Sequence, residues 1–464
     1  MSHCPMTAPR PFDNGVSGIF QTVMVHWTEG VLRLPNRILV GVALLFAGPV
    51  FAQAPPGAVT VTLHNAMERA RQYGTQIQSA SLTAALAKED SVQARAARLP
   101  SASILNQAIY TQGNGTPSGV FIANNGVHEY GEQVAGHQDL LALIRRGDIN
   151  RTRAAEAVAR ARIEVAARGL NATVLQDYYA IVAATRRLLN AQTSLTEASR
   201  FLDLTQKQEA GGEVARADVV KARITVQQRQ REREEAQLAI DKATIALGVL
   251  IFPDLRSDFA VEDDIPVPVQ LPLFTEAEAK ATDSSPDLKA ARAGILEAGY
   301  GVQVARYLWL PALNVDVLYG INANQLAFRT TEDQRNLGYA AQVSLNIPVW
   351  NWGATRSKIR QSEIRRQQAE LDLTLTQRTL RGTLATAYKE AQTAQAQLDS
   401  LRSSAELSAE SLRLTLLRYQ AGESIALEVV DAQNTATLAR NALDDGEVRS
   451  RLAAVNLQLL TGTF

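Results

Sequence analysis

The sequence RYQAGESIALEVVDAQ, at Arg418–Gln433, occurs a second time in this chain in related form. Residues Leu202–Arg223 align without a gap on Leu412–Gln433. Both copies contain Leu-x-Leu-Thr, then a Gly-Glu pair, then an acidic residue followed by Val-Val-x-Ala. Because glycine readily adopts the left-handed conformation that ends a helix, each Gly-Glu pair predicts a tight turn between two helices. Two matching turns indicate an internally duplicated protein.

The composition excludes several classes of function. Among the 464 residues, Lys and Arg number 47 and so do Asp and Glu, so there is no basic surplus for binding nucleic acid. The only cysteine, Cys4, rules out a disulfide framework or a cysteine metal cluster. The five histidines lack the spacing of metal ligands, and no nucleophile elbow, phosphate loop or catalytic pair is present. We therefore expect no cofactor, no metal and no enzymatic activity.

The N-terminal region predicts export from the cytoplasm. Residues 33–52 have the pattern of a signal peptide: Arg33 and Arg37 precede an apolar run, and Val50-Phe51-Ala52 provides a cleavage site before Gln53. The apolar run is too short for a transmembrane anchor. Residues 1–32 are interpreted as an over-extended start, with true initiation near Met24 or Val31. Residues 53–61 are interpreted as a linker.

The rest of the chain predicts one structural plan repeated twice. In each half a helix leads to two strands and then to a long helical hairpin. The predicted elements of the first repeat, residues 62–251, are a helix at Thr62–Arg98, strands at about 101–112 and 127–140 around a loop at 113–126, and a hairpin at 144–250. The Pro-rich, acidic residues 252–273 are the predicted connector. The predicted elements of the second repeat, residues 274–460, are a helix from Ser285 to Trp309, strands at about 312–321 and 337–347 around a polar loop at 322–336, and a hairpin at 353–460.

The long helices carry narrow seams of apolar and small residues. Their positions alternate by four and three, the spacing of a coiled coil, and the many Ala, Ser and Gly residues predict a close approach of helices. The seam of the third predicted hairpin arm comprises Leu380, Leu384, Ala387, Ala391, Ala394, Leu398, Leu401, Ala405, Ser408, Leu412, Thr415 and Tyr419. The seam of the last arm comprises Ala432, Ala436, Ala439, Leu443, Gly446, Ser450, Ala453, Leu457 and Leu460. One narrow seam per helix predicts helices packed side by side as a curved sheet.

The predicted strands of the second repeat alternate between apolar and small or polar residues over about ten positions, which is typical of an outer-membrane β-barrel. An ordinary half-buried sheet is the alternative, but the signal peptide and the absence of another apolar core favour the barrel. Four strands cannot close a barrel, and open edges cannot face lipid. Several chains must therefore share one barrel. Three chains would supply twelve strands, although the sequence alone does not fix that number.

The chain resembles the TolC family of outer-membrane efflux proteins over about Val61–Leu460. The resemblance rests on the duplication and on motifs that occur in the family's order, namely Ser285-Pro286-Asp287-Leu288, Ala305-Arg306 with Leu310-Pro311, Ile347-Pro348-Val349-Trp350 with Gly353, and Arg418-Tyr419-Gln420-Ala421-Gly422-Glu423. It implies a homotrimer with a twelve-stranded barrel in outer-membrane lipid and an α-helical tunnel through the periplasm. It also implies that the hairpin tips dock on a periplasmic adaptor bound to an inner-membrane pump, which is either proton-driven or ATP-driven.

The resemblance also assigns roles to residues near the tips. Tyr419 matches a tyrosine that helps to hold the resting entrance shut, and Glu428 and Asp431 match acidic residues that line the constriction. Residues three apart share a helix face, so three copies would form a ring of carboxylates that favours cations. The alternative is a solvated helix start, where acidic residues interact favourably with the helix dipole. Ser424 departs from the family pattern, in which an arginine contributes to the closed gate. The expected adaptor-docking residues are Gly211, Gly212, Glu213, Asp218, Gly422 and Glu423.

These features favour a passive exit duct for small molecules or proteins, with energy supplied by a partner. The alternative is a secreted coiled-coil scaffold or adhesin without a pore. The acidic groups Glu262-Asp263-Asp264 and Asp444-Asp445 are expected to be solvated surface rather than metal sites.

Overall fold

A computed structural model describes residues 59–110, 128–254, 258–265, 270–329 and 335–463. The predicted N-terminal extension, the signal peptide, most of the linker and the loop at 113–126 lie outside the described residues. So do residues 330–334 of the second polar loop.

In the described ranges, the two halves of the chain contain the same seven elements in the same order. The elements of the first half are β1 (Val59–Val61), α1 (Leu63–Tyr73), α2 (Thr75–Ala96), β2 (Ser101–Tyr110), β3 (His128–Leu141), α3 (Leu143–Ala210) and α4 (Arg216–Ile251). Those of the second half are β4 (Phe259–Val261), α5 (Phe274–Ser284), α6 (Pro286–Tyr307), β5 (Ala312–Ala323), β6 (Leu337–Asn346), α7 (Ala354–Gln420) and α8 (Ala426–Thr461). The predicted duplication is confirmed. At 68 and 67 residues, α3 and α7 are each about 100 Å long.

Two details of the sequence interpretation were wrong. The single helix expected at Thr62–Arg98 is broken at Gly74, which has an extended backbone with ψ of 112°. A Cβ atom at this position would lie 2.4 Å from both the Ala70 carbonyl oxygen and the Leu170 side chain of α3, so only glycine fits at the break. The connector also contains a strand, β4, which pairs in parallel with β1 and so joins the beginnings of the two repeats.

The main sheet has four antiparallel strands in the order β2-β3-β5-β6. The central pairing of β3 with β5 joins the two repeats, with His137 opposite Asp316. The outer strands β2 and β6 each have a neighbour on one side only. The sheet therefore presents two edges whose backbone N–H and C=O groups lack a β-strand partner within the described chain.

The helices pack side by side and follow directly on the strands of the main sheet. Next to the sheet, α3 packs against α2 and α6, and α6 packs against α7. Farther from the sheet, α3 packs against α4 instead of α2 and against α8 instead of α6. No helix among the described residues has a long enough apolar stretch to cross a membrane.

The predicted seam of α7 is confirmed by burial. Apart from Thr355, the buried residues of α7 all lie on it: Leu384, Ala387, Ala391, Ala394, Ala405, Leu412 and Tyr419. Helix α8 is different, because many of its buried residues lie off the predicted seam, among them Val429, Gln433, Thr437 and Val448. These residues belong to a second buried face, which packs on α3. The expectation of one seam per helix therefore fails for α8.

Candidate functional site at the helical tips

The two hairpin tips have the same backbone geometry. Gly212 and Gly422, at equivalent positions of the repeat, have φ of +78° and +77°. In both tips the residue after this glycine donates its backbone N–H to a carbonyl five residues earlier, at 2.9 Å for Glu213 and 2.8 Å for Glu423. This pair of features is typical of a helix end closed by a left-handed glycine. The sequence prediction for both turns is confirmed.

The residues proposed for adaptor docking are mostly accessible at these tips. Five of them are exposed: Gly211, Gly212, Glu213, Gly422 and Glu423. Asp218 is half-buried in the first turn of α4. The two tips thus offer similar backbone surfaces and a pair of matched glutamates to any partner.

Tyr419 lies inside the protomer rather than on its surface. It is 2% exposed and belongs to a cluster, here called the tip cluster, that draws on all four arms of the two hairpins. The Tyr419 ring packs edge-on against Phe201 of α3, with ring centroids 5.1 Å apart. Its hydroxyl lies 3.4 Å from the hydroxyl of Thr205, also on α3. The tip cluster comprises Phe201, Ala222, Tyr419, Ala426, Val429 and Val430.

The surroundings of Tyr419 keep its phenol neutral. Burial raises the pKa of the Tyr419 hydroxyl, the hydrogen bond to Thr205 lowers it, and the negative charge of Asp218 raises it further. The net shift of the pKa is upward from an ordinary value of 10.0. The ring therefore contributes as an uncharged aromatic group that holds the second hairpin against the first.

The two acidic residues proposed for the entrance ring have different surroundings. Glu428 accepts a hydrogen bond from the Ser424 hydroxyl and lies 4.0 Å from the Arg418 guanidinium, so its charge is partly compensated. Arg418 also donates to the backbone carbonyl of Glu423. Asp431 is exposed, and no side chain in the described part of the chain bonds to its carboxylate. Of the two, Asp431 presents the freer negative charge.

Ser424, which replaces the arginine of the family pattern, therefore has a defined local contact. It bonds to Glu428 within the same tip rather than to another element. The contact of Tyr419 with α3, the bond of Ser424 to Glu428 and the Arg418–Glu428 pair are interactions that the described residues provide at the proposed gate.

On the sheet side of the tip cluster, α3 and α8 are joined by polar side chains that the sequence interpretation missed. Arg440 donates two hydrogen bonds to the carboxylate of Glu197, at 2.8 and 2.9 Å. The buried hydroxyls of Ser194 and Thr437 lie 2.9 Å apart. We call this interface the polar seam; its residues are Arg186, Asn190, Ser194 and Glu197 on α3 and Gln433, Thr437, Arg440, Asn441, Asp444 and Glu447 on α8.

A signal for the polar seam is present in the sequence. Positions 433, 437, 440, 444 and 447 of α8 alternate by four and three, the same spacing as the apolar seam. Polar residues at helical intervals usually mark a solvated face, so this spacing does not by itself indicate a buried interface.

Four of the acidic residues expected to be solvated bond to arginines of the long helices. Asp264 accepts hydrogen bonds from Arg451 of α8, at 2.6 Å, and from the Tyr179 hydroxyl of α3, at 2.9 Å. Asp263 accepts one from Arg186 at 2.7 Å. Asp445 pairs with Arg187 at 2.8 Å, and Asp444 is part of the polar seam. The expectation of solvated surface was wrong for the half-buried Asp264 and Asp444, because arginines distant in sequence meet their carboxylates in the fold. Glu262, Asp263 and Asp445 are exposed, as expected. Within the described ranges no cluster of three His, Cys, Asp or Glu side chains forms a metal site.

Comparison with known proteins agrees with this architecture. Residues 279–463 match the family described as outer membrane efflux protein. The outer membrane protein OprJ of Pseudomonas aeruginosa is 28% identical over 301 residues, which are 62% of this chain and 60% of OprJ. The chain thus matches only about 60% of the length of that curated relative.

Two solved structures extend the similarity over nearly the whole fold. The outer membrane protein VceC of Vibrio cholerae has a TM-score of 0.76 at 17% identity, covering 86% of this chain and 96% of VceC. The CmeC outer membrane channel of Campylobacter jejuni has a TM-score of 0.75 at 14% identity, covering 92% of this chain and 94% of CmeC.

The fold is therefore that of the outer-membrane channel proteins, with a partial barrel sheet above a layer of long helices. The family match over residues 279–463, the named relatives and the solved channels together show that the chain is similar to outer membrane efflux proteins. This confirms the resemblance to the TolC family that the motifs carry.

Proposed function

We propose that this protein is the outer-membrane exit duct of a tripartite export system. It conducts substrates passively from an inner-membrane pump and a periplasmic adaptor to the exterior, and it is not an enzyme. The sheet lies in the outer membrane, and the helical layer extends into the periplasm. The proposal rests most directly on the four-stranded sheet, whose two outer strands have one neighbour each.

The open edges of the sheet support a shared barrel. In lipid, each unpaired backbone group costs several kcal/mol, so a spanning sheet must be closed. Pairing of β6 in one copy with β2 in the next would satisfy both edges by a head-to-tail ring. Three copies of the four-stranded sheet would give twelve strands, enough to surround a water-filled lumen. We therefore propose a homotrimer.

The helical layer has matching open edges next to the sheet. Helices α2 and α7 stand at the two ends of the series α2-α3-α6-α7, so each lacks a neighbour on one side within the described chain. Both display leucines to solvent: Leu82 and Leu86 on α2 are 66% and 69% exposed, and Leu371 and Leu375 on α7 are 69% and 64% exposed. A ring that pairs β6 with β2 would bring α7 of one copy against α2 of the next and bury these leucines.

The tips form the proposed entrance and docking surface. Tyr419, Ser424, Glu428 and Asp431 make up the gate, with Asp431 contributing most of the free negative charge of a carboxylate ring. The exposed backbone of both tips, with Glu213 and Glu423, receives the adaptor. Because Ser424 bonds only within its own tip, the resting closure depends mainly on contacts between the hairpins.

Extraction and reconstitution test this proposal. The full chain is expressed with its own export signal, extracted from outer membranes in detergent and run on a denaturing gel with and without heating. We expect a heat-sensitive oligomer of three chains and discrete conductance steps in planar bilayers. A soluble periplasmic protein without conductance would instead support the scaffold or adhesin, which the comparisons do not favour.

A further inference from the structure

One face of the main sheet carries a row of paired polar side chains near one end of the strands. Ser101 of β2 lies opposite His137 of β3, which in turn lies opposite Asp316 of β5. Asp316 lies opposite Gln342 of β6, so the row crosses all four strands. His137 precedes Leu141, the last residue of β3, by four positions, or about 14 Å along the strand. The row therefore lies near the end of the sheet from which the long helices continue.

The other face of the sheet is apolar on β5 and β6. Its residues there include Val315, Val317, Tyr319, Tyr339, Val343 and Leu345. Because successive side chains of a strand point to opposite faces, Asp316 and its row lie on the face away from these residues. In a membrane barrel the apolar face meets lipid and the polar face lines the lumen. In the proposed duct, the row therefore faces the water-filled lumen.

His137 lies between two carboxylates. Its Nδ1 atom is 2.6 Å from Oδ1 of Asp316, and its Nε2 atom is 3.4 Å from Oδ1 of Asp139. A neutral imidazole has one N–H group, whereas imidazolium donates from both ring nitrogens. Only the protonated ring can therefore donate to both carboxylates, and the neutral ring sets one unprotonated nitrogen against a carboxylate oxygen.

The charged groups around His137 come from three elements. Asp139 is on the same strand, Asp316 is on β5, and Arg145 of α3 lies 3.3 Å from Oδ2 of Asp139. The residues that adjoin this group in the row, Ser101 and Gln342, are uncharged. We call His137, Asp139, Asp316 and Arg145 the lumen cluster. Its two carboxylates and one guanidinium leave one negative charge when the imidazole is neutral, and a proton on His137 cancels that charge.

Water reaches the lumen cluster, so its protonation can follow the pH of the lumen. The side chains of His137 and Asp316 are 46% and 38% exposed. The ordinary pKa of imidazole, about 6.5, places its change of charge between about pH 5 and pH 8, whereas carboxylates ordinarily titrate at about pH 4. Within this pH range, the net charge of the lumen cluster is therefore changed through His137.

We propose that the lumen cluster is a pH-dependent selectivity site for ions in the barrel of the duct. This inference rests on the proposed function as a trimeric duct. With neutral imidazoles, the three copies place three negative charges on the wall of the lumen, and these favour cations over anions. Protonation of the three imidazoles removes this net charge. At an ionic strength of about 0.1 M the charges act over about 10 Å, so they influence ions in the lumen as well as at its wall.

Reversal potentials in planar bilayers, measured across a salt gradient at several pH values, test this inference. For wild-type protein we expect the ratio of cation to anion permeability to fall at least about twofold as the pH is lowered from about 8 to about 5.5. His137→Gln keeps a polar side chain without the titrating group and should hold the ratio near its wild-type value at high pH throughout. His128→Gln is the matched control. His128 is on the same strand but stacks on Tyr130 on the other face, so this variant should keep the full pH dependence.

Two acidic variants provide a second measurement that does not depend on replacing the histidine. Asp316→Asn removes one negative charge from each lumen cluster, so we expect it to lower the permeability ratio at high pH to about the wild-type value at low pH. Asp431→Asn removes a charge at the helical tip and should lower the ratio at every pH while leaving the pH-dependent change in place. A heat-sensitive oligomer on denaturing gels shows that each variant still assembles.

The outcomes separate this inference from the function on which it rests. If wild-type protein conducts with a permeability ratio that is independent of pH, or if His137→Gln keeps the pH dependence, the selectivity site is refuted and the duct remains. Wild-type selectivity in Asp316→Asn at high pH would also overturn it. If wild-type protein forms no conducting oligomer, the duct and the selectivity site both fall.

Discussion

Replacement of Tyr419 tests its proposed role in the gate and separates the contribution of its ring from that of its hydroxyl. In Tyr419→Phe the ring keeps its edge-on contact with Phe201. The variant loses only the hydrogen bond between the Tyr419 and Thr205 hydroxyl oxygens, which are 3.4 Å apart. A bond this long contributes well under about 1 kcal/mol. Tyr419→Ala removes the whole side chain, which is 2% exposed. We therefore expect the two variants to differ strongly.

The magnitude for Tyr419→Ala follows from the contacts of the ring. Burial of a large apolar side chain contributes about 1.5 to 3 kcal/mol, and an aromatic pair adds about 0.5 to 1.5 kcal/mol. If these contacts exist only in the closed state, their loss of about 2 to 4 kcal/mol raises the ratio of open to closed channels roughly thirty- to several-hundred-fold. Tyr419→Phe should change that ratio by less than about fivefold.

Single-channel recording in planar bilayers measures the ratio directly. Thermal unfolding of the same detergent-solubilised samples checks that each variant remains folded. Thr205→Ala removes the other hydroxyl and should behave like Tyr419→Phe. The reasoning would be refuted if Tyr419→Phe opened the channel as strongly as Tyr419→Ala, because the hydroxyl and not the ring would then hold the two hairpins together.

Three further outcomes follow from the structure. Asp431→Asn should reduce cation selectivity, measured as the reversal potential in a salt gradient, more than Glu428→Gln does, because Glu428 is already compensated by neighbouring side chains; equal effects would contradict this difference. Gly422→Ala forces an alanine to adopt φ of +77° and should destabilise the tip by about 1 to 2 kcal/mol, whereas Gly294→Ala, in open space within α6, should be neutral or stabilising in thermal unfolding. Asp264→Ala should lower the free energy of unfolding by about 1 to 3 kcal/mol, because it leaves the half-buried Arg451 without its carboxylate; an unchanged denaturation midpoint would contradict this.

The pattern of apolar residues was sufficient to predict the long helices and the apolar seam of α7. The seam of α7 was readable because leucines and alanines recur at coiled-coil spacing among polar residues, and packing buries a narrow stripe of this kind. The left-handed tips were readable because only glycine adopts that conformation at little cost. Local chemistry decides both features.

The features that were missed depend on contacts between distant parts of the chain. Gly74 at the helix break packs closely on Leu170 of α3, and β4 is only three residues long, too short to show alternation. The polar seam was missed because a glutamate at position 197 looks the same in sequence whether it meets water or an arginine 243 residues away. The candidate gate was found through the resemblance, and its contacts only through the fold.

The polar seam also has a consequence for the order in which the chain folds. The first hairpin, α3 with α4, is local in sequence and can form as soon as it is translocated, while its partner α8 follows more than 200 residues later, as the separation of 243 between Ser194 and Thr437 shows. Pairing over such separations is slow, and intermediates that wait with apolar surface exposed tend to aggregate. Along this stretch the waiting hairpin exposes arginine, asparagine, serine and glutamate instead of leucine. We expect the polar seam to keep the partly translocated chain soluble until the second repeat has been translocated.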